Sequence, residues 1–157
     1  MKLRVRLARE DDLMLIFNWA NDSLTRRMSF NQDPISLGTH KEWFSKALSQ
    51  QYTCLLIVEQ YCSGNWVPIA QIRVDQDGEI NMSLASEFRG QRLATPVIKA
   101  GIAYIKREFL RDKLTAHIKH ENVASVRAFE RAGFQFTKET TVKGHRCLEY
   151  VFGVIEN

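Results

Sequence analysis

The chain has little cysteine, little proline and no long apolar run. Its 157 residues include three cysteines and three prolines. Cys54, Cys62 and Cys147 are odd in number and form no CxxC pair, so neither a disulfide framework nor a metal site is expected, and a reducing cytoplasm suits them. No stretch approaches the roughly 20 apolar residues that a spanning helix needs. The opening Met1-Lys2-Leu3-Arg4-Val5-Arg6 lacks the hydrophobic core of a signal peptide. No membrane partner is therefore expected. Basic residues outnumber acidic ones, 22 to 18, for a net charge of +4. That balance favours anionic small molecules. The basic residues are scattered, with no run of five, which argues against nucleic acid. Hydrophobic residues make up 45% and charged residues 25%, an ordinary globular composition. The length suits one domain, 1–157, with a proper core.

Leu3 to Leu7 alternates apolar and basic residues and predicts a half-buried strand. Asp11 and Asp12 open an amphipathic helix that ends near Asp22. A polar loop follows, through Asp33-Pro34. Thr39 and Glu42 form a capping box for the next helix. Residues 52–59 and 66–74 predict strands, with Pro68 marking an edge or bulge. Asp77-Gly78 is a hairpin turn into a strand over 79–85. A long helix runs from 95 to about 110, a strand covers 114–118, and a helix covers 122–132 with Gly133 as its cap. A last hairpin over 134–154 turns at Lys143-Gly144. The order β-α-α-β-β-β-α-β-α-β-β describes a mixed sheet covered by helices.

Two stretches carry chemistry. The first is Arg89-Gly90-Gln91-Arg92-Leu93-Ala94-Thr95, between a strand and a helix. The first turn of a helix offers unpaired N–H donors and a positive dipole end to an anion. Gly90 permits a tight turn, and Arg89 and Arg92 add charge. Thr95 is a plausible cap, and Pro96 suits the first helical position. The alternative is an ordinary basic turn, since short glycine motifs are weak evidence. The second stretch is Asn122-Val123-Ala124-Ser125-Val126-Arg127-Ala128-Phe129-Glu130-Arg131-Ala132-Gly133-Phe134.

Together the two resemble the signatures of the GNAT N-acetyltransferase family. Arg89 and Ala94 match the ends of its first signature, and Arg92 stands where the central glycine is usual. Asn122, Ala124, Ser125, Phe129, Gly133 and Phe134 fit the second. The resemblance implies an α/β acyl-CoA N-acyltransferase fold. Its central, mostly antiparallel sheet is splayed between strands 4 and 5, with helices on both faces. It implies acetyl-coenzyme A as cosubstrate, lying in the splay. By resemblance, Met82, Ser83 and Leu84 would pair with the pantetheine arm, and Arg89, Gly90, Gln91, Arg92, Leu93, Ala94 and Thr95 would hold the pyrophosphate. Asn122, Ser125 and Phe129 would line the pantetheine and thiol.

The reaction needs a neutral amine, a polarised carbonyl and an acid for the leaving thiolate. Many relatives use a tyrosine where this chain has Phe129, so the acid must be water, Ser125 or another group. Ser83 and Ser125 are the catalytic candidates. Asn81 shares a strand face with Ser83, and Glu79 and Glu121 are candidate bases. Cys54 reads as core, and a cysteine acyl-enzyme is not expected. His117 and His120 face different sides and read as structural.

The N-terminal half resembles the subgroup that acetylates nucleotide-linked amino sugars, as in the pseudaminic-acid pathway. Trp19-Ala20-Asn21-Asp22, Arg27, Ser29, Phe30 and His40-Lys41 with Trp43-Phe44 carry that resemblance. It implies that Arg27, His40 and Lys41 reach the substrate's phosphates, as a guanidinium fork suits a diphosphate. Phe30 or Trp43 would wall the base and sugar, although Trp43 and Phe44 at helical spacing also read as core. The expected acceptor is the 4-amino group of a UDP-4-amino-4,6-dideoxy sugar. Two alternatives stay open: acetylation of protein N-termini, as in a sister subgroup, and a silent coenzyme-A-binding module. The oligomeric state is open too, a homodimer included.

Overall fold

The computed structural model describes residues 1–50 and 53–153. Strand β1 is Leu3–Leu7, and three helices follow: α1 Leu13–Ala20, α2 Ser23–Met28 and α3 Leu37–Ser49. Strands β2 Cys54–Cys62, β3 Asn65–Val74 and β4 Ile80–Leu84 then lead into α4 Ala94–Phe109. The chain continues through β5 Leu114–Lys119, α5 Val123–Arg131, β6 Gln135–Val142 and β7 His145–Phe152. The first four strands form one antiparallel sheet in the order β1-β2-β3-β4, and the rest form a second in the order β5-β7-β6.

The two sheets meet where β4 and β5 begin. Glu79 and Thr115 form a parallel bridge, and the Thr115 N–H donates to the Gly78 carbonyl at 3.0 Å. Beyond that point the two strands part, and among the described residues no further bridge joins them. The result is a V whose inner strand edges keep free backbone groups.

Alternation along the strands assigns the faces. Leu56, Val58, Ile72, Val74 and Ile80 point to one side and pack with Val97, Ile98, Ile102 and Ile105 of α4. Gly101 on α4 makes that approach close, because a Cβ there would come within 2.3 Å of Ile72 Cδ1. From the second sheet, Leu114, Ala116, Ile118 and Tyr150 join the same core, as do Ala128 and Phe129 of α5. Each fully buried aliphatic side chain here contributes about 1.5–3 kcal/mol. On the opposite face Leu55 and Ile57 meet Ile16, Phe44 and Ala47 from α1 and α3. With both faces covered, β2 is buried continuously from Cys54 to Glu59, which is why it reads as an unbroken apolar run.

Several local expectations need correction. The segment read as a polar loop contains α2, capped by Asp22, whose Oδ2 accepts from the Thr25 N–H at 3.1 Å. It buries no residue, so it leaves little hydrophobic period to read. Helix α3 begins before Thr39, because Ser36 is its cap and accepts from the Thr39 N–H at 3.2 Å. Thr95 does not cap α4: the helix starts at Ala94, Pro96 is its third residue, and the Thr95 hydroxyl donates to the Ala128 carbonyl on α5 at 3.4 Å. Pro68 sits beside a register shift between Val58 and Glu59, the bulge its missing N–H requires. Tyr52 and Val154, read as strand ends, lie outside the described residues.

Candidate active site

The turn between β4 and α4 has the form of an anion cradle. Gly90 has φ +74° and Arg92 has φ +59°. Arg92 therefore takes the left-handed conformation that a glycine at its place would supply. That conformation costs a non-glycine residue about 1–2 kcal/mol. Leu93 precedes α4 and gives it no side-chain cap, so the first-turn N–H groups stay open to an anion. Gly90, Gln91 and Arg92 are exposed. A pyrophosphate fits this turn: open donors, a positive helix end, and arginine on its rim. Arg92→Gly is expected to leave the melting temperature nearly unchanged. Relief of strain offsets the roughly 0.5–1 kcal/mol that glycine loses in chain entropy. The KM for acetyl-coenzyme A should rise, because a cation leaves the rim. Differential scanning fluorimetry and steady-state kinetics read the two effects.

Arg89 departs from its expected role. Its Nη2 lies 2.6 Å from Asp22 Oδ2 and 3.2 Å from Thr25 Oγ1. The guanidinium thus spans from the cradle to α2. It also holds the Asp22 carboxyl below the usual aspartate range.

On the α1/α3 side of the first sheet, β3 and β4 carry a polar patch. Gln71 pairs with Ser83 and Arg73 with Asn81. Gln71 Nε2 donates to Ser83 Oγ at 3.0 Å. Ser83 therefore keeps its own proton for another acceptor. Gln71 Oε1 is buried with no partner, an unmet acceptor that a bound molecule or water would satisfy. Arg73 lies over Trp43 at 5.4 Å from the ring centroid. Its side chain makes no hydrogen bond among the described residues, and burial lowers its pKa. Gln71 and Arg73, in a stretch that shares the resemblance to the nucleotide-sugar subgroup, are given no site role by the sequence. Their alternation with Ile72 and Val74 was the available signal.

Three strands meet in a second cluster. His117 Nδ1 lies 2.7 Å from Glu79 Oε1, and its Nε2 lies 3.2 Å from Glu149 Oε1. Thr137 donates to Glu149 Oε2 at 2.6 Å. Hydrogen bonding from Thr137 first, then from His117, holds the Glu149 carboxyl below the usual range. His117, read as structural, is the centre of a carboxylate–imidazole–carboxylate array at the apex of the V. Glu121 is exposed and lies outside this array.

The N-terminal candidates divide. His40 is buried at 2% exposure, and its Nε2 contacts the Leu13 carbonyl at 2.9 Å. It stacks on Phe44 at 5.8 Å and sits beside Phe17 and Trp43. It joins α3 to α1 and leaves almost no surface for a ligand. Its place in the series His40, Phe44, Ala47, four and three residues apart on one helix face, was the signal for a core position. Arg27 and Lys41 are exposed, and Trp43 is half-buried. Phe30 lies 6.4 Å from the His145 ring.

Near α5, Asn122 Oδ1 accepts from the Ser125 N–H at 3.3 Å and so caps the helix. Its amide nitrogen stays available to a ligand. Phe129 is 4% exposed and meets Phe134 edge to face at 4.9 Å, so the ring that replaces the usual acid belongs to the core. Ser125 is half-buried. Burial pushes the Cys54 thiol up to about 11, which keeps it protonated and a poor nucleophile at neutral pH. Met82 and Leu84 lie on β4 with side chains packed against the main core, so only their backbone groups face the V.

A sheet that parts beside a basic strand-to-helix cradle, with open strand edges between, suits an extended anionic cosubstrate: its anionic end on the open N–H groups and its arm along the strand edge. The Acetyltransferase (GNAT) domain model matches residues 2–135, and the chain belongs to that family. It is an acetyl-coenzyme-A-dependent N-acetyltransferase. No curated protein sequence matches the chain. Its fold is shared with a domain from Methanocaldococcus jannaschii at a TM-score of 0.82 and 19% identity, covering 98% of this chain and 99% of that one. Spermidine N-acetyltransferase from Vibrio cholerae, solved with coenzyme A and spermine, also gives 0.82 and 19%, covering 96% and 95%. The acetyltransferase AAC(6')-Ib, solved with ribostamycin and coenzyme A, gives 0.80 and 19%, covering 98% and 94%. Among the described residues no helix is long and apolar enough to cross a membrane.

Proposed function

We propose that this enzyme acetylates the 4-amino group of a UDP-linked 4-amino-4,6-dideoxy sugar. The observation that carries the reading is Arg73. It is a half-buried guanidinium over the Trp43 ring, with no hydrogen-bond acceptor among the described residues. A cation so placed is satisfied by an acceptor that brings negative charge or oxygen lone pairs. A polyamine or a basic peptide brings the opposite charge. Arg27 and Lys41, exposed on the same N-terminal half, add to this preference.

Bound acetyl-coenzyme A supplies the acetyl group as a thioester. The backbone of β4 at Met82, Ser83 and Leu84 binds along the open edge of the V, as strand addition does. Glu79 accepts the proton that the amine loses, and His117 and Glu149 orient its carboxylate. Ser83, with Gln71 donating to its Oγ, directs its own proton into the cleft. Ser125 and the amide of Asn122 line the α5 side.

The acidic pair Glu79 and Glu149 favours a second reading, in which the acceptor is a polyamine or aminoglycoside like those bound by the structural neighbours. A thiol-release assay separates the two. UDP-4-amino-4,6-dideoxy-N-acetylhexosamines, basic N-terminal peptides, spermidine and kanamycin are offered in turn. Turnover of the sugar nucleotides is expected; turnover of the cationic amines alone sinks the reading. On the sugar nucleotide, Arg73→Gln and Arg27→Ala should each raise its KM about tenfold or more, the worth of one charge-assisted hydrogen bond. The KM for acetyl-coenzyme A should hardly move. Equal increases for both substrates would remove these arginines from the acceptor site.

A further inference from the structure

Helix α2 is six residues long and buries none of them. So short a helix does not hold together on its own, and Leu24 and Met28, only half-buried, do little to fix it to the body. Polar pins do so instead, and they come from opposite sides of the V. At its start, Asp22 is paired with Arg89, which belongs to the cradle after β4. At its end, the Arg27 carbonyl accepts from Lys119 Nζ at 3.1 Å. Lys119 is the last residue of β5 and is 1% exposed. Three residues further on, Phe30 rests near His145, at the start of β7. One pin comes from the turn that follows the first sheet, and the others are on the second.

Lys119 is an unusual choice for such a pin. A buried ammonium is costly unless it is paired. Its one hydrogen-bond partner among the described residues is a neutral carbonyl at the negative end of α2. A methionine would fill the volume without that cost. What the ammonium adds is a directed bond that sets where α2 ends.

We infer that α2 is a strap held across the mouth of the V, and that Asp22 and Lys119 are positioning residues that couple the acceptor side to the cofactor cradle. Arg89 is the link. It sits in the turn that receives the pyrophosphate, and its guanidinium holds the cap of α2. Filling the cradle fixes Arg89; a fixed Arg89 holds Asp22; and α2 presents Arg27 in one place. The coupling must run both ways, so the acceptor also tightens the cofactor. The inference rests on the acetyl-transfer reading of the cradle, but not on which amine is the acceptor.

Hydrogen–deuterium exchange with coenzyme A alone tests it first. Coenzyme A should protect residues 91–95 and also residues 23–28. In Asp22→Asn, which keeps a capping oxygen on α2, the protection at 91–95 should remain and that at 23–28 should be lost. Kinetics give a second reading, with whichever amine the thiol-release assay shows to be turned over. Asp22→Asn and Lys119→Met should raise the acceptor KM about 5–150-fold, the usual range of a coupling. Lys119→Arg, which still donates to the Arg27 carbonyl, should restore much of it. If Lys119→Met fails to fold, Asp22→Asn and Lys119→Arg carry the test. Protection at 91–95 with none at 23–28 in the wild type overturns the strap. No protection at either overturns the strap together with the cradle reading beneath it. Equal loss for Lys119→Met and Lys119→Arg also overturns it.

Discussion

Glu79→Gln is expected to lower kcat about 10²–10⁴-fold, the usual contribution of a positioned acid or base. The KM for acetyl-coenzyme A should change little. Glutamine keeps the shape of the side chain and can still hydrogen-bond to His117, but it cannot take a proton from an amine. Glu79 suits the role by position: it forms the parallel bridge to Thr115 of β5 where the two strands begin to part. The His117 ring lies 2.7 Å from its carboxylate, and Glu149 lies 3.2 Å from the far side of that ring. His117→Gln and Glu149→Gln act through orientation alone, so each should cost less than Glu79→Gln. Steady-state kinetics with a saturating acceptor decide the matter. An unchanged kcat in Glu79→Gln would take this carboxylate out of the proton path.

The parts of this site that were legible in the sequence are those that a local motif encodes. Residues 89–95 announce a turn into a helix, because glycine, arginine and a following apolar period are neighbours in the chain. The stretch 122–134 likewise holds its cap, its helix and its closing glycine within one segment. Even so, the chain's oddest residue there is resolved only by the backbone: Arg92 keeps the left-handed turn without the glycine. The illegible parts are those assembled across strands. Glu79, His117 and Glu149 are 38 and 32 residues apart, and only the register of three strands brings them together. Arg73 was visible as a charge within an apolar strand, but its partner Trp43 lies on a helix some 30 residues earlier. Helix α2 has only Leu24 and Met28 for a hydrophobic period, and its polar anchors are an aspartate, an arginine and a lysine far apart in the chain. His40 differs for another reason. Resemblance gave it a phosphate role, while its helical spacing with Phe44 and Ala47 pointed to the core position it occupies.

Asp12→Asn is expected to destabilise the fold by about 3 kcal/mol, the cost of breaking a largely buried ion pair by removing one partner. For a domain of this size that lowers the melting temperature by about 6–12 °C. The Asp12 carboxylate takes both Arg6 terminal nitrogens, at 2.7 and 2.9 Å, and the Arg9 N–H at 2.8 Å. The two side chains are only 18% and 8% exposed, so this is not a screened surface pair. After the change, Arg6 would keep Glu59, 3.3 Å from its Nε but misaligned for a hydrogen bond. Burial alone would raise the Asp12 pKa; the hydrogen bonds from Arg6 and the Arg9 N–H outweigh it and hold the value below the ordinary 3.8. A carboxyl with a lowered folded pKa stabilises the native state above its unfolded value and loses that contribution as the pH falls through the folded one. The gap between wild type and variant should therefore be full at neutral pH and shrink below about pH 4. Thermal melts from pH 7 to pH 3 measure it. A gap that stays constant over that range would assign the effect to packing. A shrinking gap assigns it to the charge that ties β1 to the turn before α1, the helix that leads to Asp22 and the strap.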